Sequence, residues 1–257
     1  KFFKDDFSVD SSDQYETVSN SAGGSVAAAY DSANQQMALT FTTPSSGTGG
    51  IWKIKKSLSG IGEVSARVKY SSATDRMGNL QIGLFDSNNN LRYGFNIDRY
   101  SGNPKYLPFI TPTGTAVAHS SHSIVDEFMT YSFVVTNGVL RAYHNGSLVN
   151  FEGGGFVAGS YQMGSGSFEG LTLGIKISKR GEATDTQVYY VKEFTAKPTI
   201  SYSDDFASDT VSGANGRYQA VTGTVAYDDA NKRMNVTTAA GANGKASGRL
   251  KSYKFCE

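Results

Sequence analysis

Tyr131 to Val149 reads YSFVVTNGVLRAYHNGSLV. Two Asn-Gly pairs, Asn137-Gly138 and Asn145-Gly146, interrupt three short runs rich in aromatic and β-branched residues. Asn-Gly supplies the consecutive positive φ angles of a tight hairpin turn, so the stretch predicts strand, turn, strand, turn, strand. Working outward, the period of two recurs. Glu63 to Tyr70 (EVSARVKY) sets Val64, Ala66, Val68 and Tyr70 on one face and Ser65, Arg67 and Lys69 on the other. Leu80 to Phe85 (LQIGLF) groups Leu80, Ile82 and Leu84, and Leu91 to Arg99 (LRYGFNIDR) groups Leu91, Tyr93, Phe95 and Ile97. Leu171 to Ser178 (LTLGIKIS) groups Leu171, Leu173, Ile175 and Ile177. This is the pattern of half-buried antiparallel strands, and no segment carries a helical stripe over three turns.

Composition points the same way. The 257 residues include 29 Gly, 15 Tyr and 15 Phe against 5 Met and 5 Pro, which favours many short strands and tight turns over a helical bundle. The length suffices for a sizeable core without disulfides, and the single cysteine, Cys256, reads as a free or intermolecular thiol. With 24 basic and 23 acidic side chains the net charge is +1, so no nucleic-acid partner is expected. No apolar run approaches the ~20 residues of a spanning helix, so no membrane insertion is expected. The chain opens on Lys1 rather than Met and reads as processed or excised.

A second pattern sets the expected organisation. Residues 30–40 read YDSANQQMALT and residues 227–237 read YDDANKRMNVT, with Tyr, Asp, Ala, Asn, Met and Thr at identical spacing. Upstream, Asp5-Asp6-Phe7 matches Asp204-Asp205-Phe206, and Tyr15 approximately matches Tyr218. This is an internal repeat with a period near 200 residues. It predicts a first module over residues 1–196, a linker over 197–203, and over 204–257 the opening strands of a second copy that stops short, as in an excised piece of a tandem array.

The opening DDF, the hairpin pair VVTNGVLRAYHNGSLV and the late strand VYYVKEFTA together resemble the concanavalin A-like lectin/glucanase superfamily, which includes laminin G-like modules. The resemblance covers residues 3–196 and the same opening again from 204. It implies an all-β fold, an antiparallel two-sheet jelly-roll sandwich, often with a structural Ca2+. Members include secreted polysaccharide-binding modules and enzymes. The implied partner is therefore a polysaccharide or cell-surface glycan, and the implied location is extracellular, at the cell surface or on a virion.

Retaining glycosidases of this fold carry Glu-x-Asp-x-x-Glu or Glu-x-Asp-x-Glu on one strand, which sets two carboxylates on one face to flank the glycosidic bond. No such string occurs, and the adjacent Asp126-Glu127 would face opposite ways on a strand. Alginate-lyase relatives use Gln-Ile-His and Tyr-Phe-Lys strands; here Gln81-Ile82 is followed by Gly83, and Tyr-Phe-Lys is absent. His119 and His122 lie in a Ser-rich stretch without a third donor and read as solvated loop, and His144 reads as a surface residue at a strand end. A non-catalytic carbohydrate-binding module is the leading expectation. The alternatives are a structural or adhesive repeat that pairs with copies of itself in a filament, adhesin or phage fibre, and a polysaccharide lyase or hydrolase with an unfamiliar site.

For metal, two sets stand out: Asp5 and Asp6, an acidic pair present in both copies, and Asp86, Asn88 and Asn90, oxygen donors at alternate positions. The ordinary readings are a blunted strand edge and a polar hairpin turn. For ligand, alternation gathers Gln81, Arg92, Asn96 and Asp98 with Gly83 and Gly94 on one outward face, with Arg67, Lys69, Thr172 and Lys176 as matching outward residues of other strands. Outward glycines leave room for a close approach to the backbone, and amides, Arg and Asp offer paired hydrogen bonds to sugar hydroxyls. Trp52, Tyr100, Tyr106 and Tyr161 are the candidate stacking aromatics if exposed.

Overall fold

The computed structural model describes residues 3–19, 23–44, 47–71, 79–97, 107–118, 127–163, 168–179, 185–198, 218–222, 224–231, 233–237 and 247–250. In chain order the strands are β1 (Phe3–Asp5), β2 (Tyr15–Val18), β3 (Ser25–Asp31), β4 (Gln36–Thr43), β5 (Gly47–Ile54), β6 (Ile61–Ser71), β7 (Asn79–Phe85), β8 (Leu91–Ile97), β9 (Phe109–Thr111), β10 (Gly114–Ala118) and β11 (Met129–Thr136). There follow β12 (Val139–His144), β13 (Ser147–Leu148), β14 (Phe151–Glu152), β15 (Phe156–Val157), β16 (Ser160–Gln162), β17 (Thr172–Lys179) and β18 (Asp185–Pro198). Four more, β19 (Tyr218–Thr222), β20 (Thr224–Asp228), β21 (Arg233–Thr237) and β22 (Ser247–Leu250), belong to a second unit. The first compact unit is Lys1–Ile200 and the second Ser201–Glu257. Among the described residues the helical structure is one 3₁₀ turn, Ser12–Gln14.

The first unit is the expected antiparallel two-sheet jelly-roll sandwich. One sheet runs β15-β16-β12-β11-β6-β18-β4-β3, with β1 on β18 and β13 on β12, and the other runs β14-β10-β9-β8-β7-β17-β5-β2. Their inner faces interlock through aromatic side chains. Trp52 of β5 lies 5.2 Å from Phe194 of β18, Phe95 of β8 lies 5.2 Å from Tyr131 of β11, and Phe109 of β9 lies 5.5 Å from Phe133 of β11. Period two explains the arrangement. Val64, Ala66, Val68 and Tyr70 of β6 point into the core with Leu80, Ile82 and Leu84 of β7 and Leu173, Ile175 and Ile177 of β17.

The Asn-Gly turns are as expected. Asn137 and Gly138 have φ of 50° and 74°, Asn145 and Gly146 48° and 78°, and β11 pairs with β12 from Tyr131↔His144 to Thr136↔Val139. Three readings need correction. Trp52 and Tyr161 are not exposed stacking platforms: they are 1% and 7% exposed, and Trp52 stacks on Tyr15 at 4.2 Å inside the core. His144 is not a surface residue; it is buried, with Nε2 3.3 Å from the Met129 sulfur and its ring beside Tyr131. Leu91 leaves the inward row of Tyr93, Phe95 and Ile97. A bulge pairs Phe85 with Leu91 directly after Leu84 with Tyr93, so Arg92 is the extra residue and Leu91 turns to the outer face.

Candidate functional site on the outer face of the eight-stranded sheet

Four predicted ligand residues share one face. Gln81 of β7, Asn96 of β8 and Lys176 of β17 lie side by side in register, and Arg92 projects from the β8 bulge. The Gln81 amide donates to Asn96 Oδ1 at 3.1 Å, and both amides are half-buried. That bond leaves Gln81 Oε1 and the Asn96 Nδ2 group as an acceptor and a donor on the face. Arg67 is not among them. It stands on β6, on the outer face of the other sheet, so the sandwich separates it from Gln81. Asp98, Tyr100, Tyr106, His119, His122 and Cys256 lie outside the described residues.

The next row along the same face is Lys53, Gly174, Gly83 and Gly94, contributed by β5, β17, β7 and β8. The space over these glycines is taken by the chain itself, not left for a ligand. A Cβ on Gly83 or Gly94 would come within 3.0 Å of Leu91 Cδ1, and within 2.2–2.4 Å of the facing backbone carbonyl. The residues between β7 and β8 curl back over the sheet: Asn89 Oδ1 accepts from the Lys53 ammonium at 2.8 Å, and its carbonyl accepts from Lys176 at 3.1 Å. Lys53 is buried and also pairs with Glu16 at 3.4 Å. Burial holds the Lys176 ammonium below the usual lysine range, partly offset by the Asp86 charge. Two lysines thus clamp one asparagine, and the Gly83–Gly94 contact gives the loop its seat. Sequence alternation missed this because the bulge that turns Leu91 outward leaves no mark on a period-two pattern.

The two metal candidates are arranged around protons. Asp5 Oδ1 accepts from the Phe7 N–H at 2.9 Å, while Oδ2 accepts from the hydroxyls of Ser11 and, at 2.8 Å, Tyr15. Burial, and then the Asp5 charge, keep the Tyr15 hydroxyl protonated far above the usual tyrosine range. The network holds Phe7 at φ 53° with its ring fully buried beside Tyr15 and Trp52. Asp6 points the other way, to the Ser8 N–H at 3.1 Å and Lys4 at 3.6 Å; the Ser8 bonds chiefly hold its carboxyl below the usual range. Asp86 Oδ1 accepts from the N–H groups of Asn88 and Asn90, both at 2.9 Å, and Oδ2 lies 4.0 Å from Arg92. Calcium needs six to eight oxygens turned toward one point, and these sets do not fit it. Among the described residues no three of His, Cys, Asp and Glu converge.

Solved structures similar to this chain share its sandwich. A Bacillus licheniformis β-glucanase aligns with TM-score 0.53 at 11% identity, over 76% of this chain and 97% of that one. The CBM2 module of an evolved Dit protein from Lactobacillus casei BL23 phage J-1 aligns with TM-score 0.52 at 8% identity, over 78% and 96%. A glycosidic hydrolase aligns with TM-score 0.50 at 16% identity, over 77% and 96%. At such identities the likeness is one of fold. No family model matches the sequence, and no curated protein does.

Proposed function

We propose that the chain is a non-catalytic carbohydrate-binding module of a secreted modular protein. The observation that carries this reading is the outer face of the eight-stranded sheet. It offers Gln81, Asn96 and Arg92 as hydrogen-bonding groups, while Lys176 holds the Asn89 loop, and among the described residues it holds no pair of unengaged carboxylates. Glu16 is tied to Lys53 and Asp86 to its own loop, so neither is poised to protonate a leaving group or attack a sugar carbon. A β-glucanase, a glycosidic hydrolase and a CBM2 module share the sandwich, which supports a carbohydrate partner.

Retention of the full chain on a panel of neutral polysaccharides tests it. At least one polymer should retard the chain without being cleaved, and joint Gln81→Ala and Asn96→Ala substitution should weaken that retention about tenfold, as expected for losing hydrogen bonds to sugar hydroxyls. Absence of retention by every glycan, or turnover of any, overturns the reading.

A second reading, a repeat in an extracellular array, is supported by the hairpin shared between the two units. Tyr30↔Met37 and Asp31↔Gln36 in the first have the same register as Tyr227↔Met234 and Asp228↔Arg233 in the second. Self-association of the chain in light scattering would favour it.

A further inference from the structure

The outer face of the ten-stranded sheet carries a different chemistry. The Arg67 guanidinium carbon and the Lys69 and Lys192 ammonium groups lie 5.6, 5.6 and 5.5 Å from the centre of one ring, that of Phe128. Lys69 also lies 5.2 Å from the centre of the Tyr190 ring. The backbone explains the convergence. Phe128 immediately precedes β11, whose Met129 pairs with Val68, and Tyr190 of β18 pairs with Lys69, so ring, cation and ring follow one another across three neighbouring strands. A bulge in β18 between Val191 and Glu193 makes Lys192 the extra residue and aims it at the same ring. Arg67 is exposed, and Lys69, Lys192, Phe128 and Tyr190 are half-buried.

A ring face attracts cations but carries no net charge, so it gathers the three without neutralising them. Among the described residues no carboxylate forms an ion pair with any of the three. Glu193 stands opposite Arg67 in register but forms no ion pair with it, and Glu63 is bound to Lys197 at 2.6 Å. Among the described residues no ion pair engages the three clustered cations, so an anion on a ligand can pair with them. Strands spaced about 4.8 Å apart put the two rings about 10 Å apart with Lys69 between them. A pyranose face can lie on an aromatic ring while its acidic substituent meets the guanidinium or an ammonium. A nucleic acid would ask for more, since tight binding uses about 6–10 phosphate contacts, and three cations fall short of that.

We infer that this face binds an acidic polysaccharide, one bearing carboxylate or sulfate groups, through Arg67, Lys69, Lys192, Phe128 and Tyr190. The inference rests on the carbohydrate reading for its polymer class, but it uses the opposite side of the sandwich from Gln81 and Asn96.

Affinity electrophoresis of the full chain in gels containing polymannuronate, a sulfated galactan, a neutral β-glucan or a single-stranded oligonucleotide tests it. At least one acidic polymer should retard the chain at low salt, and retardation should fall as salt shortens the Debye length to about 3 Å near 1 M. The stronger of the two identifies carboxylate or sulfate as the recognised group. Arg67→Ala with Lys192→Ala should weaken that retardation about tenfold or more with an unchanged thermal midpoint, as expected for losing charge-assisted bonds. Arg67→Lys should keep most of it. No retardation by either acidic polymer, undiminished retardation of the double variant, or equal retardation by the oligonucleotide overturns the inference. Loss of neutral-glucan binding in the Gln81 and Asn96 variant reports on the other face, so the two readings fail separately.

Discussion

The β3–β4 and β20–β21 hairpins have nearly the same local chemistry and different surroundings. In the first, Asp31 accepts from the Asn34 N–H at 3.2 Å, the Asn34 side chain at 2.8 Å and Gln36 at 2.9 Å. In the second, Asp228 accepts from the Asn231 N–H at 3.2 Å, its side chain at 2.9 Å and Arg233 at 3.1 Å. The aspartate closes its four-residue turn in the same way both times. Yet Met37 is fully buried whereas its counterpart Met234 is half-buried, and Ala38 and Thr40 are half-buried where Asn235 and Thr237 are exposed. The turn is a local decision made by Asp and Asn. Burial is not local, because it depends on a second sheet to pack against.

The largest expected effect breaks the pair apart. Met37→Ala should cost about 2–5 kcal/mol, the usual range for emptying a buried methionine site, while Met234→Ala should cost well under about 2. Trp52 is the single tryptophan and lies in the core of the first unit, so its fluorescence follows that unit alone. In urea titrations the Met37 variant should shift the Trp52 transition and the Met234 variant should leave it in place. A shift in the Met234 variant would mean that the two units unfold as one.

The same division governs what was legible in the sequence. Period two and Asn-Gly located β6, β7, β11, β12 and β17 because half-buried strands and tight turns are written in adjacent residues. The β3–β4 and β20–β21 hairpins were visible for the same reason. The candidate site was legible only in part. Gln81, Asn96 and Lys176 came together because their strands alternate cleanly, but Arg67 was grouped with them across a sandwich whose sheet membership no local pattern encodes. The clamp of Lys53 and Lys176 on Asn89 spans 36 and 87 residues of chain and depends on the β8 bulge. The Phe128 cluster likewise needs register between β11, β6 and β18.

A smaller effect sharpens the likeness of the two hairpins. Hydrogen bonds from the neighbouring asparagine side chain hold both Asp31 and Asp228 below the ordinary carboxylate range. A depressed folded value means the stabilisation is present above the ordinary value of about 3.9 and is lost as pH falls through the folded one. Carboxyl resonances of both aspartates should therefore titrate below about 3.9, and amide exchange at Asn34 and Asn231, corrected for intrinsic rates, should accelerate over that same window. An ordinary midpoint at one aspartate and a depressed one at the other would show that the turns are held differently.

The smallest effect concerns one of the two partners that differ; the other is Asn235, which donates to Asp228 at 3.4 Å where the first hairpin has Ala38. Gln36 is neutral, and Arg233 is a cation with 61% of its side chain exposed, 3.1 Å from Asp228. An exposed ion pair is screened by salt, whereas an amide hydrogen bond is not. The Asp228 midpoint should therefore rise as salt is added, while that of Asp31 stays in place. Arg233→Gln should abolish the salt dependence at Asp228, and Gln36→Arg should create it at Asp31. If both exchanges leave the salt response unchanged, Arg233 serves the turn as a hydrogen-bond donor, as Gln36 does, and the Asn235 bond to Asp228 is then the difference that remains between the hairpins.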